Sequence, residues 1–244
     1  MNCNLIPENF SLESTSIWSF PDRGSWATHT NKYRGNWSPY IPRNLILRYS
    51  NEGDLVLDQF AGSGTTLIEA KLLNRNAFGV DINPNAIKLC KSAVNFDCMS
   101  KSHISIRKGS AQKLVFLSSE SVDLIATHPP YADIIKYSDG LTGDLSQQPV
   151  KKFIEAMKPV AAESFRVLKK GKICAFLIGD VRKKGVLYPL GFELMNVFIN
   201  AGFSLKEIVI KEQHNCIGTQ KWQSKTNDFL LIAHEYLYIM QKEK

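Results

Sequence analysis

The chain has 244 residues, 44% hydrophobic and 22% charged, which is ordinary for a soluble globular protein and enough for one large α/β domain with a full core. Lys and Arg exceed Asp and Glu by 7 and the isoelectric point is about 9.1, a surplus that weakly favours a polyanionic partner such as nucleic acid. The five cysteines (Cys3, Cys90, Cys98, Cys174 and Cys216) are odd in number, scattered and without a CxxC pair, which excludes a disulfide framework and a zinc cluster and fits a reducing compartment. The start, MNCNLIPENF, lacks a basic segment followed by a long apolar one, and no apolar run approaches the roughly 20 residues of a membrane span. The expectation is a cytoplasmic protein with no membrane and no metal.

Residues 1–40 read as an irregular arm, aromatic and polar, ahead of a single domain over 41–244. The spacing then predicts a helix over 41–50, with Pro42 in its first turn, a buried strand over 54–60 and a helix over 65–74. A strand over 77–82 follows, then a helix over 83–96 with Asn83 as N-cap and Pro84 at the first helical position. Strands are expected over 103–109 and 121–129. Residues 149–171 carry apolar side chains at a helical period, which Pro159 should kink or split. A strand over 172–180, a helix over 189–202 ending on a glycine, and strands over 204–212 and 228–240 close the chain. Such alternation means a mostly parallel, doubly wound sheet, and the last two strands, with no helix between them, should pair antiparallel. Ligands of such sheets sit at the carboxyl ends of the strands.

That is where the unusual residues fall. LDQFAGSGTT passes from strand to helix through Gly62, Ser63 and Gly64. No lysine follows as a phosphate loop requires, and Leu67 stands where a dinucleotide fingerprint needs its third glycine. Asp58 would repel a pyrophosphate, so acid and glycine loop together suit a cationic or amino-bearing ligand. Asp81, at the tip of the next strand, has the position of a carboxylate that accepts ribose hydroxyls. Ser110, ending the third strand, is placed to reach an adenine edge. Together they describe a site for an adenosine that carries no phosphate.

DQFAGSGTTLIEA closely resembles motif I of the S-adenosylmethionine-dependent DNA amino-methyltransferases, the N6-adenine and N4-cytosine enzymes. THPPY resembles their motif IV, and NKYRGNWSPYIPRNLILRYS looks like the segment that precedes motif I and closes over the methionine part of the cofactor. The resemblance covers roughly residues 17–182. It implies a Rossmann-like class I methyltransferase fold: a mostly parallel seven-stranded sheet with an antiparallel C-terminal strand and helices on both faces. It implies S-adenosyl-L-methionine as cofactor, held by Tyr33, Asp58, Phe60, Ala61, Gly62, Gly64, Thr65, Thr66, Asp81, Ile82 and Ser110. The implied partners are double-stranded DNA and a cognate restriction endonuclease or specificity partner.

The same resemblance gives the THPPY corner its chemistry. An exocyclic amino group is a poor nucleophile because its lone pair is conjugated into the ring. Two acceptors on its hydrogens, the first motif residue and the backbone carbonyl of Pro129, would draw the nitrogen toward tetrahedral geometry. The stiff Pro129-Pro130 pair holds that carbonyl in place. Tyr131 would stack on a base flipped out of the duplex, and no metal or covalent enzyme intermediate is required. The family has Asp, Asn or Ser where this chain has His128. A neutral imidazole offers one acceptor nitrogen, about where an Asn oxygen would be, which tilts the reading toward adenine. His128 should therefore be neutral in the active enzyme, with activity lost as pH falls through its pKa.

Between motif I and motif IV there is no room for a large target-recognition domain. DNA contacts are expected from the aromatic-basic arm 18–37, the loop 131–148, the turn 180–188 and the linker 213–227. Arg182, Lys183, Lys184, Lys221 and Lys225 would meet phosphates and Trp222 would stack or wedge, whereas Trp18, Trp26 and Trp37 fit packing better. Three other readings stand beside this one. They are a tRNA guanine-N2 methyltransferase, a protein-glutamine methyltransferase, and a catalytically weak DNA-binding or specificity subunit of the same fold.

Overall fold

The computed structural model describes residues 4–215 and 229–244. Before the domain body the chain makes one two-residue strand, β1 (Ile17–Trp18). Then come α1 (Tyr40–Tyr49), β2 (Leu55–Asp58), α2 (Thr65–Leu72), β3 (Asn76–Asp81), α3 (Pro84–Ala93), β4 (Ile104–Lys108) and β5 (Val122–Thr127). The second half holds α4 (Val150–Val167), β6 (Leu168–Ile178), the short strands β7 (Val181–Lys183) and β8 (Val186–Tyr188), α5 (Leu190–Asn200), β9 (Ser204–Glu212) and β10 (His234–Gln241).

The main sheet has the order β1-β9-β10-β6-β5-β2-β3-β4. From β2 the chain runs outward through β3 to β4, then returns to the other side of β2 as β5, all in parallel. That reversal creates a switch point between β2 and β5, where open α/β sheets bind their ligands. As expected, β10 is antiparallel to both of its neighbours, β6 and β9. An eighth strand joins the seven expected ones, because Ile17 and Trp18 pair in parallel with Ile210 and Lys211 at the sheet edge.

Side-chain alternation divides the core. Leu57, Ile125, Cys174, Phe176, Ile178, Tyr238 and Met240 pack toward α4 and α5. Their neighbours Val56, Leu124, Ala126, Ala175, Leu177, Leu237 and Ile239 face α1, α2 and Cys90 of α3. The central strands β2, β5 and the second half of β6 are buried on both faces, which is why they read as apolar runs rather than as alternating ones.

Pro159 does not split its helix. Val150 to Val167 is one helix, and both Pro159 and Glu155, whose carbonyl loses its partner, are exposed, so water can take that carbonyl. The helix ends before 171 because β6 starts at Leu168. Residues 169–172 bulge opposite Asp123 alone, with Gly171 at φ 75° inside the bulge. The last strand begins at His234 rather than 228, since its partner ladder ends at Glu212. The expected turn 180–188 is itself a small hairpin of β7 and β8.

The arm is held down by packing. Trp18, Trp26 and Trp37 are buried. Fully buried Glu69 of α2 accepts from Trp26 Nε1 (2.7 Å) and Arg43 (2.8 Å), and His29 Nε2 lies 2.7 Å from it. A buried carboxylate is tolerated where its lone pairs are satisfied in this way.

Candidate active site

The glycine loop is fastened from three sides. Ala61 N–H donates to the Val80 carbonyl (2.9 Å), Gly62 N–H to Asp81 Oδ2 (2.9 Å) and Gly64 N–H to the Ala61 carbonyl (2.7 Å). Gly62 and Gly64 have φ of 51° and 94°, in the left-handed region that glycine enters at little cost. A Cβ on Gly62 would sit 3.1 Å from the Tyr33 ring, and one on Gly64 would sit 2.8 Å from Cys90 Sγ. Gly62 thus lets the arm close over the loop, while Gly64 lets α2 pack on α3.

Asp58 accepts from Thr66 Oγ1 (2.5 Å), Thr127 Oγ1 (2.7 Å) and Phe60 N–H (3.1 Å). Burial pushes its carboxyl up to about 6 against the opposing pull of those hydrogen bonds. Asp81 uses Oδ2 for Gly62 and Oδ1 for Asn83 N–H (2.8 Å), and burial raises its pKa as well. Asn83 caps α3 as expected, accepting from Asn85 N–H at 2.9 Å.

Above these groups a cleft opens at the switch point, where open α/β sheets bind their ligands. Tyr33, Asp58, Phe60, Ala61, Gly62, Thr65, Asp81, Ile82, Ser110, His128 and Pro130 line it. Gly64, Thr66, Pro129 and Tyr131 do not. Gly64 is turned to Cys90, Thr66 serves Asp58, Pro129 is buried, and Tyr131 points toward β10. The roof was signalled only in part, by the segment that precedes motif I, and no motif pointed to the loop over 131–148. The roof comes from Gly35, Asn36 and Trp37 of the arm and from Tyr137, Gly143, Asp144 and Leu145 of that loop. The Tyr33 and Tyr137 rings stack at 6.0 Å and 18°, and Asn83 donates to the Tyr137 carbonyl at 2.7 Å. The loop expected to read DNA therefore also closes the cleft.

The donor set fits S-adenosylmethionine. A buried carboxylate, Asp58, and a partly buried one, Asp81, stand at the ends of adjacent strands, each with unused lone pairs, and among the described residues no lysine or arginine lines the cleft to prepare it for phosphate. Asp81 would hold the ribose, Ser110 and Ile82 the adenine, and Asp58 with Tyr33 the methionine end.

His128 leaves β5 one residue past its end and faces the same cleft. Its ring stacks on buried Trp37 (5.7 Å, 20°), and its Nε2 lies 3.1 Å from the Tyr131 hydroxyl. Burial drives the His128 pKa down to about 4; Glu235 and a backbone hydrogen bond with Gly35 oppose the fall, and Lys211 assists it. The Tyr131 hydroxyl donates to Glu235 Oε1 at 2.5 Å, so this ring is tethered rather than free to meet a base.

Among the expected DNA contacts, Lys183 is bridged to Asp133, which brings the β7–β8 hairpin against the segment after Tyr131. Arg182 bonds the Gly185 carbonyl (3.2 Å) and lies over the Phe229 ring, while Lys184 is exposed at the hairpin tip. Lys221, Trp222 and Lys225 lie outside the described residues. Among the described residues no group of three His, Cys, Asp or Glu is placed to hold a metal, and no helix is long and apolar enough to cross a membrane.

Comparison with known proteins agrees with this geometry. A family model described as a methyltransferase domain matches residues 50–234, and one described as a DNA methylase, of the N6/N4 type, matches residues 7–92. The chain is 39% identical over 85 residues to the type II methyltransferase M.HpaI of Haemophilus parainfluenzae, covering 33% of this chain and 26% of that protein. It is 29% identical over 143 residues to the tRNA (guanine(10)-N2)-dimethyltransferase of Methanothermobacter thermautotrophicus, covering 58% of this chain and 38% of that one. The chain thus spans well under half the length of these two relatives. A SAM-dependent methyltransferase structure from Methanosarcina mazei covers 81% of this chain and 96% of its own, at 18% identity and a TM-score of 0.56, which shows the shared fold. The chain belongs to the methyltransferase-domain family, uses S-adenosylmethionine as its cofactor, and resembles the amino-methyltransferases of the DNA methylase group through its N-terminal third.

Proposed function

We propose that the protein is a site-specific DNA methyltransferase acting on the exocyclic amino group of a flipped base, adenine N6 or cytosine N4. The observation that carries the reading is the position of His128 and Pro130 on the wall of the cleft that the glycine loop and Asp81 enclose. A base entering there meets the His128 imidazole, held neutral by burial, beside Pro130 on the cleft wall, and the stiff Pro129-Pro130 pair fixes the backbone of that corner. Bound S-adenosylmethionine supplies an electrophilic methyl group. The target nitrogen gains that methyl and loses one proton, for which the unprotonated nitrogen of His128 is the nearest base in the motif. Trp37, stacked on the imidazole, holds its plane. The exposed hairpin tip at Lys184 adjoins this corner and is suited to duplex phosphates, with Lys221, Trp222 and Lys225 as further contacts. In a cell this would place the protein with the nucleoid in the cytoplasm, beside a restriction or specificity partner where one exists.

The test is transfer of labelled methyl from S-adenosylmethionine to unmethylated duplex DNA, with nucleoside analysis of the product. The expected product is N6-methyladenine or N4-methylcytosine. His128→Ala should slow single-turnover transfer by roughly 100- to 1,000-fold, the usual loss for one preorganised polar group. A full rate in His128→Ala would refute its role. The similarity to a tRNA guanine-N2 enzyme over 58% of this chain makes tRNA the second substrate to test. Methyl transfer to tRNA alone would replace the DNA reading, and cofactor binding without transfer to either would mean a specificity subunit.

A further inference from the structure

We propose that Glu235 is a positioning residue for His128, acting through Tyr131 to fix the imidazole as the Nε2–H tautomer and leave Nδ1 as the acceptor for the target amino group. The inference deepens the reading of His128 as an amino-group acceptor and rests on it.

Four side chains form a line from the far strand to the cleft. Lys211 of β9 donates to Glu235 Oε2 at 2.9 Å, the Tyr131 hydroxyl donates to Glu235 Oε1 at 2.5 Å, and His128 Nε2 lies 3.1 Å from the same hydroxyl. Glu235 is 8% exposed, and although burial opposes its ionisation, Lys211 and the hydrogen bonds outweigh it and keep the carboxylate charged. Tyr131, raised well above its ordinary pKa first by burial and then by Glu235, keeps its proton.

The tautomer follows by counting protons. A phenol has one, and the charged carboxylate takes it in a short, charge-assisted bond. The phenol oxygen then meets His128 only as an acceptor, so this line draws the ring hydrogen to Nε2, in competition with the Gly35 backbone, which also meets the imidazole. A neutral imidazole has a single N–H, which leaves Nδ1 with its lone pair. Without the carboxylate, the Tyr131 proton is free to turn toward Nε2. The imidazole would then adopt the Nδ1–H form and present a donor to an amino group that needs an acceptor. The same line explains why Tyr131 is turned from the cleft toward β10 although it follows the two prolines directly.

Nitrogen-15 NMR of protein carrying labelled histidine tests this at pH 7, with the His128 signal identified by its loss in His128→Asn. The wild type should show a protonated Nε2 and a bare Nδ1. Glu235→Gln and Tyr131→Phe should shift His128 toward Nδ1–H or a mixture of the two forms. Glu235→Gln should also slow single-turnover methyl transfer to duplex DNA by roughly 10- to 100-fold while leaving the Kd for S-adenosylmethionine unchanged. An Nδ1–H form in the wild type would overturn the proposal, whatever the variants do. So would a wild-type tautomer or a wild-type rate in Glu235→Gln. If the wild-type protein transfers no methyl group to DNA, the proposed reaction fails, and the wild-type tautomer alone decides whether the relay exists.

Discussion

Cofactor affinity should rise with pH through the titration of Asp58. This carboxyl is 2% exposed and burial lifts it to about 6, so it loses its proton across the neutral side of the acid range rather than near 4. S-adenosylmethionine carries a sulfonium and an ammonium, and a positive charge in the cleft favours the ionised carboxylate. Binding therefore lowers the Asp58 pKa and releases a proton, and linkage requires the affinity to increase as that proton is lost to solvent. With a pKa of about 6, roughly one carboxyl in eleven is ionised at pH 5 and roughly ten in eleven at pH 7. The Kd measured by titration calorimetry should accordingly fall about tenfold between pH 5 and pH 7. Asp58→Asn should flatten most of that slope, leaving only the part carried by Asp81, whose pKa burial also raises. S-adenosylhomocysteine, with a neutral sulfur, should show a weaker dependence. A Kd that changes less than about twofold over this window, or a wild-type slope in Asp58→Asn, would refute the assignment. The raised pKa also costs the free protein about 3 kcal/mol of stability as pH rises from below 4 through 6, since the folded state holds its proton more tightly than the unfolded chain.

Gly64→Ala combines a φ of 94° with a Cβ 2.8 Å from Cys90 Sγ, and should lower stability by roughly 2–4 kcal/mol in urea unfolding. In a Cys90→Ala background the next contacts are 3.5 Å or longer, so the cost of Gly64→Ala should shrink there to the backbone part, about 1–2 kcal/mol; equal costs in both backgrounds would rule out the clash. Pro159→Ala should raise stability by roughly 1–3 kcal/mol, because the exposed helix regains a backbone donor for Glu155 and loses the ring clash. A neutral or negative change in the melting temperature would show that the proline fits its helix without strain.

Sequence by itself determined the elements whose signals are local. The cap at Asn83 followed by Pro84, the glycines between β2 and α2, and apolar runs short enough to be strands each act within a few residues. They predicted the parallel order, the antiparallel last strand and the floor of the cleft. Strand boundaries were misread where a partner elsewhere decided them, and of the two outcomes expected at Pro159 the split did not occur. Pro159 stays within a helix since the carbonyl it orphans faces water, and the strand after it begins at Leu168 because β5 offers a ladder there. The part of the roof that the loop over 131–148 supplies and the Glu235–Tyr131–His128 line were beyond local reading altogether. Tyr33 meets Tyr137, and Tyr131 meets Glu235, across separations of about a hundred residues that no periodicity records. Tyr131 follows the two prolines as a stacking residue would, yet its hydroxyl is bound to β10. Only the folded sheet, by inserting an antiparallel β10 beside β6, brings Glu235 to the corner where that hydroxyl ends.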